Sequence, residues 1–469
     1  MPAAYLFSPF VAIFIFAVLA CAGGWLAAKP VHAAVLLLGL AVLDALHLPI
    51  AVNVGLSLYP EDLFFLILFA ACLIRFCLFA RLKAIPPAWW LLGVIQLGLV
   101  IWGVRAFGTA GGVDARPHFY LWVTVVFFAS VRWSDQMISR VLDWWIACAV
   151  CLSLLAVYRW VNSAIDPVYA EEIMAFDPTG VRFRVISSVS TLVIAIASII
   201  LSFRILRGRL PMALWPLLPF QLATIAILQH RSVWVSLFVG VACLLLTKSG
   251  AGQRLRAAAA FGMLLLPLVF ALALPADNSV VASVKQSADH AVSLEEGTMV
   301  ARVVFWDELM KTWLGSGSAA TYLVGQPYGS GYSPWEADDG TMQDMIPHNH
   351  FVHLLFRGGT LGLLATVWIF GSTWYAALVR TRRAEQYWAQ LFLAVLSALF
   401  AYCIPYWANH NGGLLLGIAI AYLRNEKHAQ VWVAAPRVAA RFASRRLPTR
   451  FRPPQGASAG QPVTIERQA

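Results

Sequence analysis

Charge is what this chain has least of. Only 12% of its residues are Asp, Glu, Lys or Arg, about half the roughly 25% of an ordinary globular protein. Hydrophobic residues make up 60% and mean hydropathy is +0.73. A length of 469 residues would otherwise suggest two or three soluble domains. A soluble fold of that size cannot hide so much apolar surface, and disorder or coiled coil is excluded for the bulk of the chain. Cysteine is missing where it would staple a loop. All seven (Cys21, Cys72, Cys77, Cys148, Cys151, Cys243 and Cys403) lie in apolar runs, so neither a disulfide framework nor a zinc knuckle is on offer. Cys148-Ala-Val-Cys151 has the spacing of a redox pair, but thiols inside an apolar run read as small packing residues. The opening MPAAYLFSPF lacks a basic n-region, so the first apolar run is expected to be retained. The apolar runs are continuous rather than alternating, which excludes a closed barrel. What remains is an all-α polytopic membrane protein whose first partner is the lipid bilayer.

A bilayer core needs about 20 apolar residues per helix. Such runs lie near 8–27, 31–50, 61–80, 88–104, 118–131, 139–158, 185–203, 211–228, 232–247 and 257–275, then 355–378, 387–405 and a shorter 411–423. The expectation is about 12 transmembrane helices. They divide the chain into an N-terminal bundle (1–275), a hydrophilic loop (276–354), C-terminal transmembrane helices (355–423) and a basic, disordered tail (424–469). Alternate loops and the tail hold 24 of the 34 Lys and Arg residues, which marks that side as cytoplasmic. The net charge of +11 is therefore a topology signal and needs no nucleic acid partner. Ten spans before an external loop would put the N-terminus outside as well, unless the first run stops short of crossing or the count is odd.

The basic residues on the other side are the informative ones: Arg105, Arg116, Arg159, Arg182, Arg184, Arg231, Lys285, Arg302, Lys311 and Arg357. Arg231 in LQHRSVWVSL joins two apolar runs with almost no loop between them. It reads either as a snorkelling helix-end arginine or as an anion clamp at headgroup depth, since guanidinium binds phosphate through two parallel hydrogen bonds. In the outer loop, which holds ten acids from Asp277 to Asp344, Trp306, Leu309, Met310 and Trp313 fall at helical spacing and predict an amphipathic helix on the bundle. Gly325-Gln-Pro-Tyr-Gly329-Ser-Gly331 follows as a turn. His348, Asn349, His350 and His353 then crowd the point where the loop re-enters the membrane. Histidine at such a boundary suits proton transfer. The rival is a metal site with Glu336, Asp338, Asp339 or Asp344.

Three segments resemble the bacterial O-antigen ligase and polymerase superfamily. An arginine opens an apolar span in Gln229-His230-Arg231-Ser232-Val233-Trp234. Arg302 and Trp306 precede Leu323-Val324-Gly325-Gln326-Pro327-Tyr328-Gly329. His348-Asn349-His350-Phe351-Val352 is followed by Gly359 and Gly362. The similarity spans roughly residues 180–425, and its His348 segment is the most specific. The resemblance implies a GT-C-like membrane glycosyltransferase of the bacterial inner membrane with its site facing the periplasm. Such an enzyme passes a glycan from undecaprenyl diphosphate to an acceptor hydroxyl on another glycan or on lipid A-core, with inversion and without metal or other cofactor. It implies His348 as the base with Asn349 beside it and Arg231 as the diphosphate clamp. Arg182 or Arg184, together with Arg302 and His350, would bind substrate. A transporter or flippase is the alternative from another class. It would keep acids or bases near the bilayer midplane, where Asp44, His47 and Asp143 are the few candidates and most lie near a run's end.

Overall fold

The computed structural model describes residues 9–46, 52–53, 57–79, 85–165, 184–247, 298–315, 317–332, 334–336, 342–344, 347–383 and 387–424. These belong to one compact unit, Met1–Asn425. The apolar run 257–275, the start of the hydrophilic loop with Lys285, and all of the basic tail beyond Arg424 lie outside the described residues.

The protein is mostly helical. In chain order the helices are α1 (Pro9–Ala28), α2 (Pro30–Ala45), α3 (Pro60–Phe79), α4 (Pro87–Phe107), α5 (Thr109–Ala129), α6 (Asp135–Ile165), α7 (Ser188–Leu206), α8 (Leu217–Leu228), α9 (Arg231–Leu246), α10 (Thr298–Gly315), α11 (Ala319–Val324), α12 (His350–Arg382), α13 (Ala389–Cys403) and α14 (His410–Leu423). Two short hairpins, Val52–Asn53 with Ser57–Leu58 and Pro334–Glu336 with Met342–Asp344, complete the described elements. Helix ends are set by local chemistry. Prolines open α2 and α4, where a missing N–H costs nothing. Ser187 and Asn409 cap α7 and α14 by accepting from the backbone N–H of Ser190 and Gly412.

Among the described residues, α4, α6, α7 and α12 are long and apolar enough to cross a membrane, and α1–α2 add a fifth if that pair, bent by 110° at Lys29, counts as one span. Helices α8, α9, α13 and α14 are apolar but have only 12–16 residues. At 1.5 Å per residue they fall short of a bilayer core of about 30 Å, so four or five of the expected spans are met at full length among the described residues. The buried share of α7 is 89%, against 28% for α4. Helix α7 is thus the axis of the bundle and α4 lies at its rim. Packing at the axis is close: Ser198 Oγ bonds both the Ile194 carbonyl and Gln221 Oε1.

Polar contacts collect at the two helix ends. At the arginine-rich end, Arg75 donates to Ala27 O at 2.6 Å and to Ser130 Oγ at 2.8 Å, which ties the Lys29 bend to the ends of α3 and α5. Arg207 bonds Gln390, and Tyr422 bonds Asp135. At the opposite end, α5 starts at Thr109, well before the apolar run at 118. This brings Asp114 and Arg116 into the helix with His118, and Arg116 pairs with Asp62 at 3.3 Å. Helix α12 likewise starts at His350 rather than at 355, because Asn349 caps it. The Trp306–Trp313 stripe lies on α10, where Phe305, Leu309 and Trp313 are buried in a cluster with Leu355 and Phe356 of α12.

Candidate functional site

His348 sits in the turn that enters α12, half-buried. Its ring meets the edge of Tyr406 with centroids 5.7 Å apart, and Arg302 lies over the same tyrosine at 5.0 Å. Arg302 is held there by a 3.3 Å hydrogen bond to Pro405 O, and the backbone of His350 donates to Tyr406 O at 3.0 Å. These bonds clamp the α13–α14 connection against the start of α12. Burial, with the neighbouring Arg302 cation, holds the His348 imidazole below the usual value of 6.5. The ring is therefore neutral at pH 7, the state a general base requires.

Tyr406 links this histidine to the second arginine group. It stacks on Tyr402 at 5.1 Å with an interplanar angle of 10°, and Tyr402 donates to Ser188 Oγ, the first residue of α7. The extended residues just before Ser188 carry Arg184. Arg159, from the far end of α6, donates to Val185 O at 3.0 Å. His230 Nε2 donates to Ile186 O at 3.0 Å. Gln229 adopts a left-handed φ of 53°, and the tight turn that results swings α9 back so that Arg231 opens it. Arg184 lies close enough to Arg231 for their like charges to interact. Two half-buried guanidiniums with a buried third beside them form a cationic corner at the same end of the bundle as His348. Arg182 lies outside the described residues.

Other sequence-derived site residues take different roles. The side-chain oxygen of Asn349 accepts from the N–H groups of Phe351 at 2.9 Å and Val352 at 3.1 Å, the N-cap of α12. His350 does not face an open site: it is 2% exposed and neither ring nitrogen meets a hydrogen-bond partner. His353 is buried too, stacked on His118 at 4.4 Å and bonded through Nδ1 to the Tyr332 hydroxyl at 2.8 Å. The sequence crowds three histidines together, but helical geometry separates them, turning His350 and His353 inward. Among the described residues no three His, Cys, Asp or Glu side chains are grouped to hold a metal ion. Asp338 and Asp339 fall outside those residues, as do the side chains of Glu336 and Asp344.

Arg357 is a structural cation. It is 1% exposed, pairs with Asp114 at 2.8 Å and bonds Pro327 O, Ser330 Oγ and Gly331 O. It thereby fastens the glycine-bearing turn between α5 and α12. Gly329 is required there because its φ is +82° and a Cβ would meet Gly111 N at 2.6 Å. Gly359, at φ +60°, breaks α12 where the backbone of Leu323 presses against it. Removing one partner of a buried ion pair costs about 3–5 kcal/mol. Arg357→Met is therefore expected to lower the thermal unfolding midpoint of the purified protein sharply. An unchanged midpoint would mean that the turn is held by its other contacts.

The sequence reading missed Tyr402, Tyr406 and Ser188. A signal was present in Cys403-Ile-Pro-Tyr-Trp-Ala-Asn-His410, a dense polar and aromatic connection between two apolar runs. It carries no formal charge, and charge was the guide. No family model matches the chain, and no curated protein matches it.

Proposed function

We propose that the protein is a membrane glycosyltransferase that moves a glycan from undecaprenyl diphosphate to an acceptor hydroxyl, as an O-antigen ligase or polysaccharide polymerase with a GT-C-like arrangement of about 12 spans. In this reading the site faces the periplasm of a bacterial inner membrane. The observation that carries it is a half-buried, neutral His348 beside Arg302, joined through Tyr406, Tyr402 and Ser188 to the Arg184–Arg231 corner. Lipid-to-glycan transfer needs both groups. His348 takes the proton from the acceptor hydroxyl as its oxygen bonds the anomeric carbon. The bond from that carbon to the diphosphate breaks on the opposite face, which inverts the centre. The diphosphate leaves as an anion and needs cations rather than a proton, and Arg231 and Arg184 supply them. Burial, with Arg302 beside it, keeps His348 unprotonated, and Arg302 would contact a donor sugar or phosphate.

Purified protein given lipid-linked glycan and acceptor is expected to form the glycosidic product. Movement of the lipid across a vesicle without product would instead support a flippase. The chemistry described uses only side chains, so product formation is expected to survive exhaustive EDTA treatment. Activity lost to EDTA and restored by magnesium or manganese would return the histidine cluster and the acids of 336–344 to consideration as a metal site.

A further inference from the structure

A cavity of about 520 Å³ opens at the end of the bundle opposite His348, between α9, α12 and α13. That volume is in the range of sites that hold small organic ligands. Its apolar walls are Cys243, Leu246, Trp374, Leu378 and Leu393, and its polar groups are Thr247, Thr381 and Arg382. The polarity is graded along the helices. Thr247 ends α9, and Thr381 and Arg382 end α12, so the polar groups gather at the bundle end while the apolar walls run inward from it. The Thr381 hydroxyl is buried and, among the described residues, meets no hydrogen-bond partner. Among the described residues no carboxylate pairs with Arg382, whereas Arg204, elsewhere on this end, is already engaged by Asp143. The outer face of α12 alongside the cavity is apolar and uncovered, with Trp368 and Tyr375 both more than 60% exposed.

We propose that this cavity binds one anionic phospholipid from the leaflet at the arginine-rich end. An acyl chain would lie between Leu246, Trp374, Leu378 and Leu393, and the phosphate would meet Arg382 at the cavity mouth. Charge complementarity selects this occupant. A purely apolar filler would leave the Arg382 charge at the mouth without a counter-charge, and a zwitterionic lipid would set its own cation against Arg382. The C-terminal ends of α9 and α12 carry partial negative charge that opposes an anion, but Arg380 and Arg382 in the last turn of α12 offset it. Basic pockets between transmembrane helices on the cytoplasmic side bind anionic headgroups for this reason. The proposal does not depend on the transfer reaction.

The test uses the full chain, purified and delipidated, with lipid retention measured by native mass spectrometry and stability by thermal unfolding. Phosphatidylglycerol is expected to be retained and to raise the unfolding midpoint, while phosphatidylcholine does neither. Arg382→Gln, on an exposed side chain that should not disturb folding, is expected to weaken phosphatidylglycerol retention about fivefold. Cys243→Trp, which fills the cavity, is expected to displace the lipid. Equal retention of the two lipids by the native protein would overturn the proposal. So would undiminished phosphatidylglycerol binding by Arg382→Gln, or full stabilisation by inorganic phosphate alone, which would reduce the site to an anion contact without a chain-binding cavity.

Discussion

His348→Ala is expected to slow glycan transfer by at least about 10²-fold, the lower bound for losing a general base, while binding of the lipid-linked donor persists. The pH profile carries the distinction. The neutral imidazole is the active form, so the rate rises with pH as His348 loses its proton. Burial and Arg302 hold that transition below the ordinary 6.5, so the ascending limb should lie on the acid side of 6.5 and activity should be flat through neutral pH. Arg302→Gln removes the repelling cation and should move the limb upward toward 6.5. His348→Ala should abolish the limb. His350 supplies the control. It lies two residues away but is buried, so His350→Ala should lower stability by creating a cavity and leave the limb where it was. The assignment sinks if His350→Ala removes the limb, or if His348→Ala abolishes donor binding together with turnover.

Arg231→Lys is expected to lose most transfer activity although its charge is kept, and Arg231→Ala to lose still more. A lysine ammonium cannot reproduce the planar fork that grips two phosphate oxygens. Removing a donor aimed at developing transition-state charge typically costs about 10²–10³-fold in rate. Arg184 lies beside Arg231, so the two cations should act as a unit. The Arg184–Arg231 double alanine variant should then lose less than the product of the two single losses. Near-normal turnover in both Arg231→Lys and Arg231→Ala, at unchanged expression, would leave Arg231 as a helix-end anchor only.

Much of this architecture is legible in one dimension because hydropathy and charge are properties of segments. The continuous apolar runs specify helices, and the clustering of arginines in alternate loops separates the two ends of the bundle. The period of Trp306, Leu309, Met310 and Trp313 marks the buried stripe of α10. Helix length is less legible. Apolar character extends beyond helix ends at the shorter segments, while polar residues such as Asp114 and His118 enter α5 because neighbouring helices satisfy or bury them.

Hydropathy and charge along the chain already imply a helical, lipid-adapted protein with its unusual cations and histidines at one end. What each of those residues does follows from how the helices pack. In the sequence Arg357 and Arg302 are equivalent, basic residues assigned to the same end of the bundle. One is consumed by Asp114 and the turn at 327–331, and the other faces His348 across Tyr406. His348 and His350 are two residues apart. One stays in a half-buried turn, while the other is carried inward by the first turn of a helix that Asn349 caps. These outcomes depend on neighbours from distant elements, α5, α7 and the α13–α14 connection. A titratable side chain takes its charge state and its partners from the space around it, and that space exists only once the helices have packed.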